Sequence, residues 1–96
     1  MNNIDTIRKY KKQINNISSK YHAQHIRLFG SVVRGDNTPA SDVDFLVQFM
    51  PEASLMDQAG IISELSDLLN CPVDVVSENA LNPLISERII KESVPL

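Results

Sequence analysis

Two short segments decide the fold: Leu28-Phe29-Gly30-Ser31 and, ten residues later, Ser41-Asp42-Val43-Asp44. The first is the end of an apolar run, and the aspartate pair opens a second run that continues to Phe49. On a strand, side chains two residues apart point to the same face about 6.5–7 Å apart. Asp42 and Asp44 would repel each other there unless a cation lay between them. Mg²⁺ takes oxygen ligands, usually one or two carboxylates together with substrate phosphates. The pair therefore predicts a site in which two carboxylates bind a metal ion.

The Gly30-Ser31 pair predicts a phosphate-binding turn. If residues 31–34 form a short helix, the free amide groups and the positive end of the helix dipole at Ser31 face an anion. Gly30 has no Cβ to keep a phosphate from the backbone, and the Ser31 hydroxyl can donate to a phosphate oxygen. The alternative is a solvated β-hairpin with glycine and aspartate in its turns.

The combined pattern, with Arg34-Gly35 between its halves, resembles the nucleotide-binding signature of the DNA polymerase β-like nucleotidyltransferase superfamily. Within it, the sequence is most similar to the minimal nucleotidyltransferase (MNT) domains. The resemblance extends over almost the whole chain, which we interpret as one minimal domain, residues 1–96. It implies that Asp42 and Asp44 hold divalent ions and, through them, the triphosphate of ATP. Gly30, Ser31 and Arg34 are then the nucleotide-binding residues.

Asp74 is the candidate third acid. Its neighbours Val73, Val75 and Val76 predict a buried strand, where an unpaired carboxylate would be costly. The alternative is an aspartate at a strand edge that faces water or caps a turn. In the resembling family a third carboxylate, on a strand after the central helix, completes the metal site, and Asp74 matches it in order. The resemblance then implies two Mg²⁺ ions held by Asp42, Asp44 and Asp74, with Asp74 also activating the attacking hydroxyl.

The remaining pattern predicts an α/β fold with helices packed on a small mixed β-sheet, the polymerase β-like arrangement. The predicted order is a helix over 4–21, a strand over 25–29, a short helix from 31, a strand over 42–49, a helix over 55–69, a strand over 71–76 and a helix from 83. Residues 37–40, with Pro39, are typical of a turn. Pro95 opposes strand pairing, which argues against the final edge strand that such domains often have.

Composition and charge argue against several kinds of function for this chain. The net charge of −3 argues against strong direct nucleic-acid binding, which usually needs a basic face. Cys71 is the single cysteine, so no intrachain disulfide is possible, which fits a reducing compartment. We see no signal peptide and no apolar stretch approaching ~18 residues, so we expect a cytoplasmic protein with no membrane segment. His22 and His25, without a third ligand nearby, make a poor zinc site.

For a domain of this size we expect no second lobe that would hold an acceptor. Domains that resemble it are commonly encoded beside a HEPN-domain RNase toxin and act as its antitoxin by transferring AMP from ATP to a tyrosine hydroxyl of the toxin. The chain lacks the Arg-x₄-His motif of that nuclease, so the resemblance implies the transferase half, with a HEPN toxin as partner. Two alternatives stay open. One is a catalytically idle module that neutralises a toxin sterically. The other is a transferase acting on a small molecule or RNA end with a separate substrate-binding subunit.

Overall fold

The computed structural model describes residues 3–38 and 40–96. This part of the chain forms a four-stranded sheet on which helices pack. Pro39 of the predicted turn lies outside the described residues. The helices are α1 (Ile4–Arg8), α2 (Lys11–Lys20), α3 (Ser31–Arg34), α4 (Leu55–Leu69) and α5 (Pro83–Glu92). The strands are β1 (Ala23–Phe29), β2 (Val43–Phe49), β3 (Val73–Ser77) and β4 (Val94–Pro95), with a 3₁₀ turn at Glu78–Ala80.

The sheet is mixed, as the sequence predicts, with strand order β3-β2-β1-β4. β1 runs antiparallel to both β2 and β4, whereas β2 and β3 are parallel and are connected through α4. The end of β1 therefore lies at the same edge of the sheet as the beginnings of β2 and β3. This edge is where the chain passes through Gly30 and the aspartates.

Alternation along β2 fixes which side chains face the core. Val43, Phe45 and Val47 are buried in the main hydrophobic cluster, together with Ile61 and Leu65 of α4. The alternate residues Asp44, Leu46 and Gln48 point to the opposite face, where Leu46 is also fully buried. A slip of one residue would exchange the two faces, so the core sets the register that places Asp44.

The starts of α4 and α5 agree with the sequence prediction. At α4 the side chains and backbones of Ser54 and Asp57 form a capping box, in which the Ser54 amide donates to Asp57 Oδ2 at 2.9 Å. At α5 the Asn82 side chain accepts from the Leu84 amide at 2.9 Å, and Pro83 occupies the first helical position.

The predicted single helix over residues 4–21 is wrong in its middle. The amides of Lys9 and Tyr10 donate to carbonyls three residues earlier, at 3.2 Å and 3.0 Å, so the chain makes a tight turn between α1 and α2. Ile7 and Ile14 nevertheless both reach the core with no exposed surface. The apolar spacing thus identifies the buried residues correctly and misses the break.

The prediction against a final edge strand is also wrong. Val94 pairs with Leu28, Pro95 pairs with Arg27, and the Leu96 amide donates to the Ile26 carbonyl at 3.4 Å. An edge strand needs hydrogen bonds on one side only, so it can contain a proline. β4 is correspondingly short, with two residues.

Candidate active site

Asp44 and Asp74 occupy partner positions on the parallel strands β2 and β3. Neighbouring strands lie about 4.8 Å apart, so the pairing brings these carboxylates together on one face at the edge of the sheet. Asp42 immediately precedes β2. The predicted acids therefore meet at one edge through strand pairing as well as through the Asp-x-Asp spacing.

Asp44 is the electrostatic centre of the group. Burial raises its pKa from 3.8 to about 6, and the charges of Asp74 and Asp42 add to the rise, while Arg34 opposes it. Asp44 is half-buried, whereas Asp42 and Asp74 are exposed. The edge thus concentrates negative charge around one partly enclosed carboxylate, an arrangement that a cation would relieve.

The expectation that Asp74 is a buried carboxylate is wrong. Val73 and Val75 point into the core, but Asp74 alternates with them and is exposed on the other face. Burial therefore gives no reason to expect a ligand at Asp74. The observation that places Asp74 at the site is its register with Asp44.

Gly30 packs its backbone directly against Asp44. It has φ 79° and ψ −153°, and a Cβ built there would collide with the carboxylate oxygen of Asp44 and lie 3.2 Å from its Cγ. Ser31 follows as the first residue of α3, as predicted, and the Val33 amide makes the first helical bond to the Gly30 carbonyl at 3.1 Å. The Ser31 hydroxyl makes no hydrogen bond to the residues that the structure describes. The Gly-Ser pair thus adjoins the edge of the sheet that carries Asp42, Asp44 and Asp74, which we call the acidic edge.

Arg34 lies at the rim of the site. Its Nε donates to Asp36 Oδ2 at 3.2 Å and its Nη1 donates to Glu92 Oε1 at 2.7 Å. These two bonds raise the pKa of the Arg34 guanidinium, while its positive charge lowers the pKa of Asp44. Arg34 is therefore where the sequence predicts it, but it is bonded to two carboxylates. Sequence reasoning missed Glu92, because its contact crosses 58 positions of the chain.

The donor chemistry of this edge fits Mg²⁺. Across 3–38 and 40–96, no group of three or more His, Cys, Asp or Glu side chains already converges as a metal cluster. Mg²⁺ does not require one, since it commonly takes one or two carboxylates and fills its other positions with phosphate oxygens and water. The pKa of Asp44 is raised first by burial and then by the charges of Asp74 and Asp42, and such an ion would neutralise this negative charge.

The acidic edge is open rather than enclosed. A cavity of about 400 Å³ lies elsewhere, next to Gln48, Glu78 and Leu96, and its lining contains none of the three aspartates. Gln48 is four residues along β2 from Asp44, which corresponds to about 13 Å of strand. Because Asp42 and Asp74 are exposed, a large acceptor could reach them from solvent. None of the helices in the described ranges is long and apolar enough to cross a membrane.

Comparison with known proteins identifies the family to which the chain is similar. A family model described as a nucleotidyltransferase domain matches residues 7–96. A candidate protein adenylyltransferase of Methanocaldococcus jannaschii is 35% identical over 88 residues, which cover 92% of this chain and 95% of the relative.

Two solved structures share the fold. A candidate minimal nucleotidyltransferase superposes with a TM-score of 0.90 at 35% identity, over 99% of this chain and 97% of that one. A structure of the tri-AMPylated Shewanella oneidensis HEPN toxin in complex with its MNT antitoxin contains a chain that superposes with a TM-score of 0.69. Its identity is 17%, over 92% of this chain and 69% of that one, so this likeness shows the fold alone.

Proposed function

Since this chain belongs to the nucleotidyltransferase domain family and is a nucleotidyltransferase, we propose that it transfers AMP from ATP to a tyrosine hydroxyl of a HEPN RNase toxin and so acts as its antitoxin. The observation that carries the proposal is the carboxylate pair of Asp44 and Asp74, in register at an open edge beside Gly30. The Methanocaldococcus jannaschii relative, a candidate protein adenylyltransferase, supports a protein acceptor. The fold shared with a chain of the Shewanella oneidensis complex suggests a HEPN toxin as that protein.

In the proposed reaction the tyrosine oxygen attacks the α-phosphorus of ATP. An oxygen–phosphorus bond forms, the bond to the bridging oxygen of pyrophosphate breaks, and the tyrosine proton passes to a carboxylate or to water. Asp74, exposed beside Asp44, is positioned to activate the attacking hydroxyl. Gly30 leaves the space in which the Asp44 carboxylate lies, and Ser31 and Arg34 supply donors to the triphosphate.

Asp42, Asp44 and Asp74 are the residues that would hold Mg²⁺. When bound, two such ions would offset the charge on the phosphates and on the attacking and leaving oxygens.

Large apolar side chains are exposed at the starts of α4 and α5. α5 has no buried residue, and its first turn presents Leu84 and Ile85 with 82% and 55% of their surface exposed. Leu55 and Met56 at the start of α4 are each 83% exposed. Both helices begin where the chain has left β2 and β3, away from the aspartates, so these side chains offer surface to a protein partner without identifying the acceptor.

The nucleotide part of the proposal is tested by thermal unfolding. ATP with Mg²⁺ should raise the melting temperature, because a ligand that binds only the folded state stabilises it by mass action. ATP with EDTA should raise it much less. The proposal fails if the double variant Asp42→Asn and Asp44→Asn binds Mg-ATP as well as the parent does.

The transfer part is tested by Asp74→Asn, which is nearly isosteric and keeps the fold and the partner surface. We expect the variant to bind the co-expressed toxin but to add no AMP to it, and cells that carry both to lose protection. A steric antitoxin predicts instead that protection follows the affinity of the complex. Intact-mass analysis of the toxin is paired with growth rescue. Full rescue by Asp74→Asn without an AMP adduct would contradict the enzymatic function.

A further inference from the structure

We infer that Glu92 is a positioning residue that holds the guanidinium of Arg34 in place for the triphosphate, and so connects the last helix to the nucleotide site. The inference rests on the proposed role of Arg34 in nucleotide binding. It concerns a residue outside the Gly-Ser and Asp-x-Asp segments, contributed by the opposite end of the sequence.

The contact between Arg34 and Glu92 differs from an ordinary surface ion pair. Its N–O distance is 2.7 Å, and the side chains of Arg34 and Glu92 are 53% and 27% exposed. On the same helix, Lys91 and Glu87 lie 3.2 Å apart and are 76% and 70% exposed. Exposed pairs of the second kind contribute little, because water and salt screen them. The more enclosed Glu92 can hold its partner in one geometry.

The two bonds of Arg34 fix the plane of its guanidinium. Nε is used by Asp36 and Nη1 by Glu92, whereas Nη2 donates to no residue that the structure describes. A guanidinium has five N–H donors in a rigid plane, so fixing two nitrogens also fixes the direction of the remaining donors. A phosphate oxygen is a suitable acceptor for the donors that are left.

Glu92, rather than Asp36, ties Arg34 to the sheet. Asp36 is two residues from Arg34, and its side chain is 61% exposed, so it belongs to the same surface loop. Glu92 ends α5 and comes two residues before Val94, which pairs with Leu28 of β1. Both charges also act on Asp44, since Arg34 lowers its pKa and Glu92 raises it. The three side chains therefore form one electrostatic group at the site.

The test measures the dissociation constant of Mg-ATP for the whole chain by equilibrium titration. We expect Glu92→Ala to weaken binding roughly threefold to tenfold, because one bond that orients a charged donor is lost. Glu92→Gln keeps a carbonyl acceptor for Nη1 and should restore much of the affinity. Glu87→Ala, on the same helix, is the matched control and should leave the affinity unchanged.

A double-mutant cycle separates positioning from a general structural effect. If Glu92 acts through Arg34, adding Glu92→Ala to Arg34→Ala should cause no further loss. An equal loss in both backgrounds would overturn the inference, as would parent-like binding by Glu92→Ala. A parent chain that fails to bind Mg-ATP would contradict the proposed function together with the inference. Parent binding with an unaffected Glu92→Ala would contradict the inference alone.

Discussion

The space that a Cβ of Gly30 would fill is occupied by the carboxylate of Asp44. The backbone of Gly30 imposes the same requirement independently, because φ 79° with ψ −153° is a region that essentially only glycine adopts. Two separate constraints thus fall on one residue. Together they explain why the turn after β1 can lie against the first acidic residue of β2.

Gly30→Ala should therefore damage both stability and the site. We expect a loss of about 1–3 kcal/mol in the free energy of unfolding from backbone strain, and a loss of Mg-ATP binding as Asp44 is displaced. Gly35→Ala is the matched control. Gly35 has the same φ of 79°, but nothing lies within 4 Å of its Cβ position, so its cost is limited to about 1–2 kcal/mol of strain. Denaturant unfolding and nucleotide titration distinguish the two, and parent-like binding by Gly30→Ala would contradict the assignment.

Ser31→Ala should weaken nucleotide binding without unfolding the chain. The hydroxyl has no hydrogen-bond partner among the residues that the structure describes, so its removal leaves no described group unpaired. Losing one bond to a charged phosphate costs about 1.5–3 kcal/mol, or roughly tenfold or more in affinity. Ser63→Ala, an exposed position of α4, is the control. An unchanged affinity for Mg-ATP would rule out a phosphate role for Ser31.

Gly60→Ala tests the packing of α4 against Tyr21. Replacing a glycine inside a helix by alanine ordinarily stabilises it by about 0.5–1 kcal/mol. Here the added Cβ would collide with the ring of Tyr21, whose hydroxyl donates to Glu64 on the same helix. We expect destabilisation by about 1–3 kcal/mol, the usual cost of overpacking, while Ser63→Ala is neutral or stabilising. A rise in the free energy of unfolding for Gly60→Ala would show that the ring moves aside freely.

The parts of the fold that depend on local chemistry could be predicted from the sequence. Helix starts are decided within a few residues by caps such as Ser54 and Asn82, which is why the predicted starts at residues 55 and 83 agree with the structure. The Gly30-Ser31 turn and the strand after Asp42 are local in the same sense. The mixed sheet follows from the order of such elements and from the resemblance to a known family.

The parts that depend on pairing between distant segments could not be predicted as well. Whether Asp74 faces the core or solvent depends on the register of β3 against β2, and its valine neighbours suggest the wrong answer. Pro95 is unfavourable for a strand in isolation, but β1 offers it an edge. The contact of Arg34 with Glu92 arises only because the end of α5 lies beside the end of α3. No local pattern contains that information.

The raised pKa of Asp44 leads to a prediction about pH. Burial and the neighbouring aspartates raise this pKa from 3.8 to about 6, so between about pH 4 and pH 6 the folded chain binds more protons than the unfolded chain. Under this condition the free energy of unfolding falls as the pH rises. Asp44→Asn removes the titrating group. The melting temperature of the variant relative to the parent should therefore increase from about pH 4 to pH 7, in the absence of metal.

Other carboxylates change the free energy of unfolding with pH in the opposite direction. Their contribution cancels when the variant is compared with the parent. The pKa values of Asp57 and Glu64 are lowered, mainly by hydrogen bonds from the Ser54 backbone and the Tyr21 hydroxyl respectively. Their stabilisation is lost as the pH falls toward acid, and it is common to parent and variant. Mg²⁺ favours the charged form of Asp44, so it should stabilise the parent more at pH 7 than at pH 5 and should stabilise Asp44→Asn little at either. If the difference in melting temperature between parent and variant stays constant from pH 4 to pH 7, Asp44 does not titrate in this range. The negative charges of Asp42 and Asp74 would then lie farther from Asp44 than the strand register indicates.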